Sequence, residues 1–327
     1  MKKLMTMAVV GAFVAFAAAN AWGEPTYAEK LAWKPTDKVL IWHIDDAGMS
    51  HESNVGTIKA MAEGMATSCS IMMPCPWVSE YAHYVSAQAD LADKPELDYG
   101  LHLTMTSEWE HRHRWGPVAG KPVAPTLVDE EGCLWDNVEL VVKNADPDQV
   151  EKEIRAQVDR ALTMGLKPSH LDSHMGTLFA DPRFAERYIK VGIEFGIPVL
   201  TAGGHMTHIA RENGDVMEAA KMMSGVVWAA GLPVLDDIHT DGYGWTTYAE
   251  KKAGTLEFLR TLKPGITEFI LHCTEPGDTF QFISSSGPTR KADLELMLDP
   301  EVKKVVEEQG IILTTWRELK QRRDQVK

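Results

Sequence analysis

The sequence predicts an α/β fold: a (β/α) barrel, regular or not, of about seven to eight parallel strands in a single domain. Three observations carry this. Short apolar runs, of the kind buried on both faces of a parallel sheet, alternate with stretches of helical periodicity. Seven or eight such units in ~300 residues suit one barrel better than an open doubly wound sheet. Chemistry-bearing residues stand at the ends of many of the runs, as a barrel mouth requires; an open sheet gathers them at one switch point.

The elements follow in order. Residues 39–44 form the first strand, and Ser50 is placed to cap a helix carrying Val55, Ile58 and Met61, which Gly64 ends. Residues 67–73 are the second strand, followed by a helical pattern at Val78, Tyr81 and Val85. The third strand is 99–104, and after it a long polar and aromatic insertion runs to about Asp146. Val150, Ile154, Val158 and Leu162 recur at helical spacing and form one face of a helix that stops at Gly165. "KPSHLDSH" is the fourth strand, followed by a helix over 183–195 that Gly196 closes. "IPVLTA" is the fifth, with a helix near 216–230 after it; "LPVLDDIH" and "ITEFILHC" are the sixth and seventh, and "GIILTTW" is the candidate eighth.

Composition narrows the function classes. Of 327 residues, 44% are apolar and 24% charged, ordinary for a chain with a substantial core. The net charge of -14 repels phosphate backbones, which argues against nucleic acid as a partner. The start, "MKKLMTMAVVGAFVAFAAANAWGEP", has Lys2 and Lys3, an apolar stretch over 4–19 and a small-x-small site at Ala19-Asn20-Ala21. It reads as a secretory signal peptide over 1–21, leaving a mature domain over 22–327 that begins near Trp22 and is secreted or periplasmic. The apolar segment is short for a membrane anchor, and no later segment is long and apolar enough to span a bilayer. Export permits a disulfide among Cys69, Cys75, Cys133 and Cys273, whose spacing fits no CxxC zinc motif.

The predicted strand ends carry Asp45 and Asp46, then His102, then His170, Asp172 and His174, then Asp236, Asp237 and His239, and lastly His272. Adjacent carboxylates repel each other and gain nothing from burial, so Asp45 and Asp46 call for a cation. One carboxylate with two imidazoles suits Zn²⁺, Mn²⁺, Fe²⁺ or Co²⁺, and with added waters Mg²⁺.

At these residues the chain resembles a family. "IDDAGMSHESN", "GMATS", "GLHLT" and "KPSHLDSHMG" are similar, in that order, to motifs of the YdjC/ChbG carbohydrate deacetylases, and "GIILTTWREL" to their C-terminal segment. The resemblance covers nearly all of the mature chain. It implies a distorted (β/α) barrel that removes acetyl groups from N-acetylated sugars such as chitooligosaccharides, using one divalent metal ion, Mg²⁺ or Zn²⁺. It places the general base at Asp45, metal ligands at Asp46, His102 and His174, and, loosely, the acid at His272; Asn54 matches the asparagine after the Asp pair. The chain departs from the family in Ala47 and Gly48 after the pair, where Phe and Gly are usual, and in Met175, Gly176 and Thr177, where further histidines are usual.

Amide hydrolysis needs an activated water, a polarised carbonyl and a proton for the leaving amine. Asp172 is a candidate to orient a ligand histidine, with His170 beside it. "SEWEHRHRWGPVAG", with Trp109, His111, His113, Arg114 and Trp115, follows His102 and is expected to line a sugar site, since aromatic faces stack on sugar C–H surfaces. "SSSGPTR", with Arg290, is a further candidate. The expected partner is an N-acetylated sugar or oligosaccharide, and a homodimer is compatible with the sequence. Three other readings stay open: an iron(II) oxygenase using the same two histidines and one aspartate, a metal-free glycosidase with two carboxylates, and a non-catalytic exported sugar-binding protein.

Overall fold

The computed structural model describes residues 24–91, 96–109, 112–212 and 214–326. The expected signal peptide at 1–21 and His111 lie outside the described residues.

Among the described residues seven strands form one parallel sheet: β1 Lys38–Ala47, β2 Ser68–Ile71, β3 Tyr99–Leu103, β4 Leu171–Ser173, β5 Asp237–His239, β6 Gly265–Leu271 and β7 Ile312–Leu313. Their order is β4-β3-β2-β1-β6-β5. Both β7, at Val39 and Leu40, and β2, from His43 onward, pair with β1, whose ladder with β6 runs from Lys38 to Ile44. Single parallel bridges, Leu171 to Val199 and Ala202 to Leu235, continue the path from β4 to β5. Leu200 N–H donates to Leu171 O at 2.8 Å and Leu235 N–H to Thr201 O at 3.0 Å. The run predicted as a fifth strand is this seam. It is bridges rather than a ladder, in a segment where Pro198 has no N–H to contribute. The expected barrel is therefore present and distorted.

The twelve described helices cover the sheet and its ends: α1 Tyr27–Lys30, α2 His51–Ala62, α3 Val78–Ala89, α4 Val138–Asn144, α5 Pro147–Thr163, α6 Pro182–Phe195, α7 Thr207–Glu212, α8 Met217–Ala229, α9 Tyr248–Thr261, α10 Gly287–Met297, α11 Pro300–Glu308 and α12 Trp316–Gln325. Their limits follow local chemistry. Ser50 accepts a hydrogen bond from Ser53 N–H and starts α2. Asp146, Asp181 and Asp299 cap α5, α6 and α11, each with proline in the first turn. Gly196, at φ 66°, takes the left-handed cap that ends α6.

The two faces of β1 bury different things. Leu40, Trp42 and Ile44 belong to the large core that includes residues of the covering helices. Val39 and Ile41 belong to a smaller cluster with Leu31, Leu235, Ile266, Trp316 and Leu319, which forms an apolar floor. Further along the same face of β1 come His43 and Asp45, both buried. On β6, Glu268 follows Ile266 in the same alternation, and Trp316 Nε1 donates to its carboxylate at 2.7 Å. Burial pushes the Glu268 carboxyl up to about 7. The interior thus passes from an apolar floor to a polar column.

Two predicted strand-end groups are corrected here. Asp236 precedes β5 and accepts the N–H groups of Tyr27, Ala28 and Ile266, which pins α1 to the start of β6. Asp237 caps α7 through His208 N–H and Ile209 N–H. Neither joins the other strand-end groups. All four cysteines are free thiols, so the disulfide that export would permit does not form.

Helix α2 meets the end of β6 without clearance. A Cβ on Gly56 would lie 2.4 Å from Thr274 Cα and 2.5 Å from Cys273 O, both backbone atoms. Gly56→Ala is expected to destabilise the fold by about 1–3 kcal/mol, the usual cost of overpacking a rigid contact. A denaturant midpoint equal to that of the wild type would contradict this close approach.

Candidate metal centre

Successive residues of a regular strand point to opposite faces. Asp45 and Asp46 nevertheless both reach the barrel interior. The pairing of β1 with β2 shifts register between Ile44 and Ala47, and Asp46 adopts φ 67°. Such a conformation costs a non-glycine residue about 1–3 kcal/mol, so neighbouring contacts must hold it. Asn54 does much of this: its Oδ1 accepts Gly48 N–H at 2.7 Å, and its Nδ2 donates to Trp77 O and to Glu80. Asn54, expected to support the ligands or to meet the substrate, takes the first role as the clamp of the turn that follows the Asp pair.

The turn sets Asp46 Oδ1 3.5 Å from His102 Nε2 and 3.3 Å from His174 Nδ1. His102 lies in β3 and His174 directly follows β4. These three residues offer donor atoms within 4.8 Å of one another; Asp45, His102 and Asp172 form an overlapping set. Each imidazole is oriented by a carboxylate. His102 Nδ1–H donates to Asp172 Oδ1 at 2.7 Å, and His174 Nε2–H to Glu108 Oε1 at 2.5 Å. An ionised carboxylate only accepts, so in the neutral form of each ring, the form that binds a metal, the lone pair lies on the nitrogen that faces Asp46.

That arrangement fits a divalent cation. Asp46 Oδ1 and His174 Nδ1 are buried and have no hydrogen-bond partner among the described residues. Lone pairs facing one another without a donor are costly unless a positive charge lies between them. Asp46 Oδ2 meets the guanidinium of Arg290 at 2.7 Å. Burial opposes the Asp46 anion, but Arg290 and His174 outweigh it and hold the carboxyl well below its usual range. At His174, burial opposes the imidazolium, yet Glu108 and Asp46 raise it to about 10. The pocket draws positive charge.

The family follows from the same residues. The profile of the YdjC-like proteins matches residues 39–308, from the first strand past the last of these side chains. The chain belongs to the YdjC family. A carbohydrate deacetylase of Thermoanaerobacter pseudethanolicus is 27% identical over 290 residues, covering 86% of this chain and 100% of that protein. A carbohydrate deacetylase of Thermus thermophilus is 28% identical over 284 residues, covering 87% and 94%. The crystal structure of a candidate cellobiose-phosphate cleavage protein from Enterococcus faecalis V583 shares the fold, with a TM-score of 0.72 at 22% identity over 87% of this chain and 99% of that one.

Around the YdjC Asp pair, the structure sorts the remaining candidates. Asp45 Oδ2 lies 3.6 Å from His102 Nε2, and its Oδ1 is 3.1 Å from His43 Nε2 and accepts from Ser70 Oγ at 3.3 Å. His272, at the end of β6, has Nε2 3.8 Å from Asp45 Oδ2 and 3.3 Å from the Tyr243 hydroxyl. Burial pushes its imidazole down to about 4, so it is neutral near pH 7. Together with Tyr243, Ser286, Thr289 and Arg290 it lines a cavity of about 260 Å³. Arg290 reaches this site as expected, stacking 5.1 Å from the ring of Trp109, whose centroid is 6.2 Å from His174.

Two expected site residues belong elsewhere, and a third supports the centre from beneath. His170 stands beside Asp172 as expected, its Nε2 3.6 Å from Asp172 Oδ2, stacked on Trp316 at 5.0 Å with its Nδ1 bonded to Ser169 Oγ. The guanidinium of Arg114 binds Ser107 O, Leu134 O and the carboxylates of Asp129 and Glu131, because the insertion folds back on itself at the Val128–Leu134 bridge. Trp115 is buried in the main core, its backbone N–H donating to Ser107 Oγ. Both residues knit the insertion together.

Sequence reasoning missed His43, Glu108 and Tyr243. His43 had a readable signal: it stands two positions before Asp45, on the same face of β1, and its Nε2 is also 3.1 Å from Asp172 Oδ2. Glu108 had a weaker one, since a histidine ligand needs an acceptor for its second nitrogen and the insertion after His102 supplies carboxylates. Nothing local marked Tyr243.

Proposed function

We propose that this chain is a metal-dependent carbohydrate deacetylase that hydrolyses the acetamide of N-acetylated sugars, chitooligosaccharides or related glycans. The observation that carries this is the convergence of Asp46 Oδ1, His102 Nε2 and His174 Nδ1, each imidazole braced by its own carboxylate, beside a second carboxylate, Asp45, that is not one of the three. Relatives named carbohydrate deacetylase support the reaction class.

Asp46, His102 and His174 would hold the ion, Mg²⁺ or Zn²⁺, which when bound supplies Lewis acidity to a carbonyl oxygen and acidity to a water. The chain's own groups then divide the proton work. Asp45, held by His43 and Ser70, takes a proton from the attacking water as its oxygen bonds to the acetyl carbon. The C–N bond breaks and the amine nitrogen takes up a proton. His272, being neutral, passes on the proton that Asp45 received across the 3.8 Å between them rather than starting as the acid. Trp109 and Arg290 offer an aromatic face and a cation to the sugar. The reading includes export by the leader at 1–21, checked by the N-terminal mass of protein taken from cells.

The test is acetate release from N-acetylated mono- and oligosaccharides. Activity is expected with divalent metal, to vanish with chelator and to return when metal is restored. Sugar binding without acetate release would identify a non-catalytic binding protein; oxygen uptake by the iron-loaded protein would identify an oxygenase. Acetate release that survives complete metal removal would overturn the metal-dependent reading.

A further inference from the structure

A second group of ligand-type side chains lies at the end of β5 and shares no residue with the centre described above. His208 and Glu212 stand four residues apart on α7 and so lie on one helix face. His239 ends β5 and comes to meet them. Glu212 Oε1 is 2.9 Å from His239 Nδ1 and 3.9 Å from His208 Nδ1. The three residues offer donor atoms within 4.8 Å of one another, and the two imidazole centroids are 4.6 Å apart.

We propose that His208, Glu212 and His239 form a second divalent-metal site, with Glu212 Oε1 and one nitrogen of each histidine as ligands. Two imidazoles and one carboxylate suit Zn²⁺-class ions, whereas Mg²⁺ and Ca²⁺ prefer oxygen sets.

Three features show a built site. Glu212 Oε2 is already engaged by Thr240, through its N–H at 2.8 Å and its hydroxyl at 2.5 Å, which leaves Oε1 to face both rings. The His239 ring is walled in by Phe258, stacked at 4.7 Å, and by Phe269 at 4.4 Å, so its orientation is set by packing. Asp237 accepts the N–H groups of His208 and Ile209, which fixes the start of α7 against β5. Arg211 Nη2, 3.2 Å from His208 Nδ1 and 3.3 Å from Glu212 Oε1, would have to withdraw; its side chain is exposed and already pairs with Asp241.

The ion would be structural. The segment leaving His239 carries Tyr243, whose hydroxyl is 3.3 Å from His272 Nε2. Tying α7 to β5 through His239 holds the root of that segment and so keeps Tyr243 beside His272.

The experiment uses the full chain, stripped with chelator, titrated with ZnCl₂ and desalted, with bound metal counted in the wild type, Asp46→Asn, His208→Ala and Glu212→Gln. Glu212→Gln keeps an acceptor for Thr240 and so guards against a variant that merely misfolds; circular dichroism checks all four proteins. Two equivalents are expected in the wild type. One equivalent should be lost in His208→Ala and in Glu212→Gln, and the ion kept by Asp46→Asn should raise its thermal midpoint. Substituting Co²⁺ in Asp46→Asn should give the intense visible absorption of a four-coordinate site. A wild type with one equivalent that folded His208→Ala retains would overturn the proposal, and so would two equivalents in both His208→Ala and Glu212→Gln. A single equivalent lost in His208→Ala but kept in Asp46→Asn would uphold this site and remove the Asp46 centre instead.

Discussion

Asp45→Asn is expected to keep its metal and bind substrate, yet to turn over about 10²–10⁴-fold more slowly, the usual worth of a positioned general base. The substitution preserves size and polarity. Its side-chain oxygen can still accept from Ser70 Oγ and face His43 Nε2, the neighbours of Asp45 Oδ1 in the wild type. What it loses is the capacity to take a proton from water. Because Asp45 lies beside the proposed ion without being one of the three assigned ligands, metal content should stay whole while kcat falls. Steady-state acetate release and metal analysis on the same preparation check both halves. Unchanged turnover would remove the mechanism.

Asp46→Asn should fail in the opposite order. It replaces a charged ligand by a neutral one, so metal affinity should fall first, by more than the roughly 10–100-fold that loss of an outer partner costs. Excess metal should then restore part of the activity. Asp46 also faces Arg290 at 2.7 Å, and that guanidinium is buried. Removing the carboxylate charge leaves it uncompensated, an effect that reaches 3–5 kcal/mol when a buried pair is broken. A fall in thermal midpoint should therefore accompany the loss of metal, and fully metal-loaded samples should be compared before activity is read. If metal falls in Asp45→Asn and stays whole in Asp46→Asn, the two roles are reversed.

Much of this architecture is legible in the chain because its determinants are local. The run at 39–44 is too short and too apolar for anything but a buried strand or helix segment, and the capping serine at Ser50 starts the next helix where expected. Gly196 closes α6 because the left-handed cap suits glycine. Asp46, His102 and His174 were readable together, since strand ends meet at a barrel mouth and the motifs resemble those of a family whose profile matches the chain.

Other features depended on partners remote in sequence. Alternation along β1 places Asp45 and Asp46 on opposite faces; the register shift against β2 and the positive φ of Asp46 bring both inside. Asp236 has the same chemistry as the centre's residues, yet it accepts backbone N–H groups of α1. Arg114 and Trp115 have the composition of a sugar-binding loop and serve the loop's own fold. The groups that orient the proposed ligands stand 70 residues from His102, in Asp172, and 66 residues from His174, in Glu108. Propensities, caps and alternation act between near neighbours, so the sequence by itself determined where strands and helices run and which residue types reach the strand ends. Which nitrogen of each histidine keeps its lone pair, and which way each carboxylate turns, was decided only by the tertiary structure, because an imidazole takes its tautomer from whatever acceptor the fold carries to its other side.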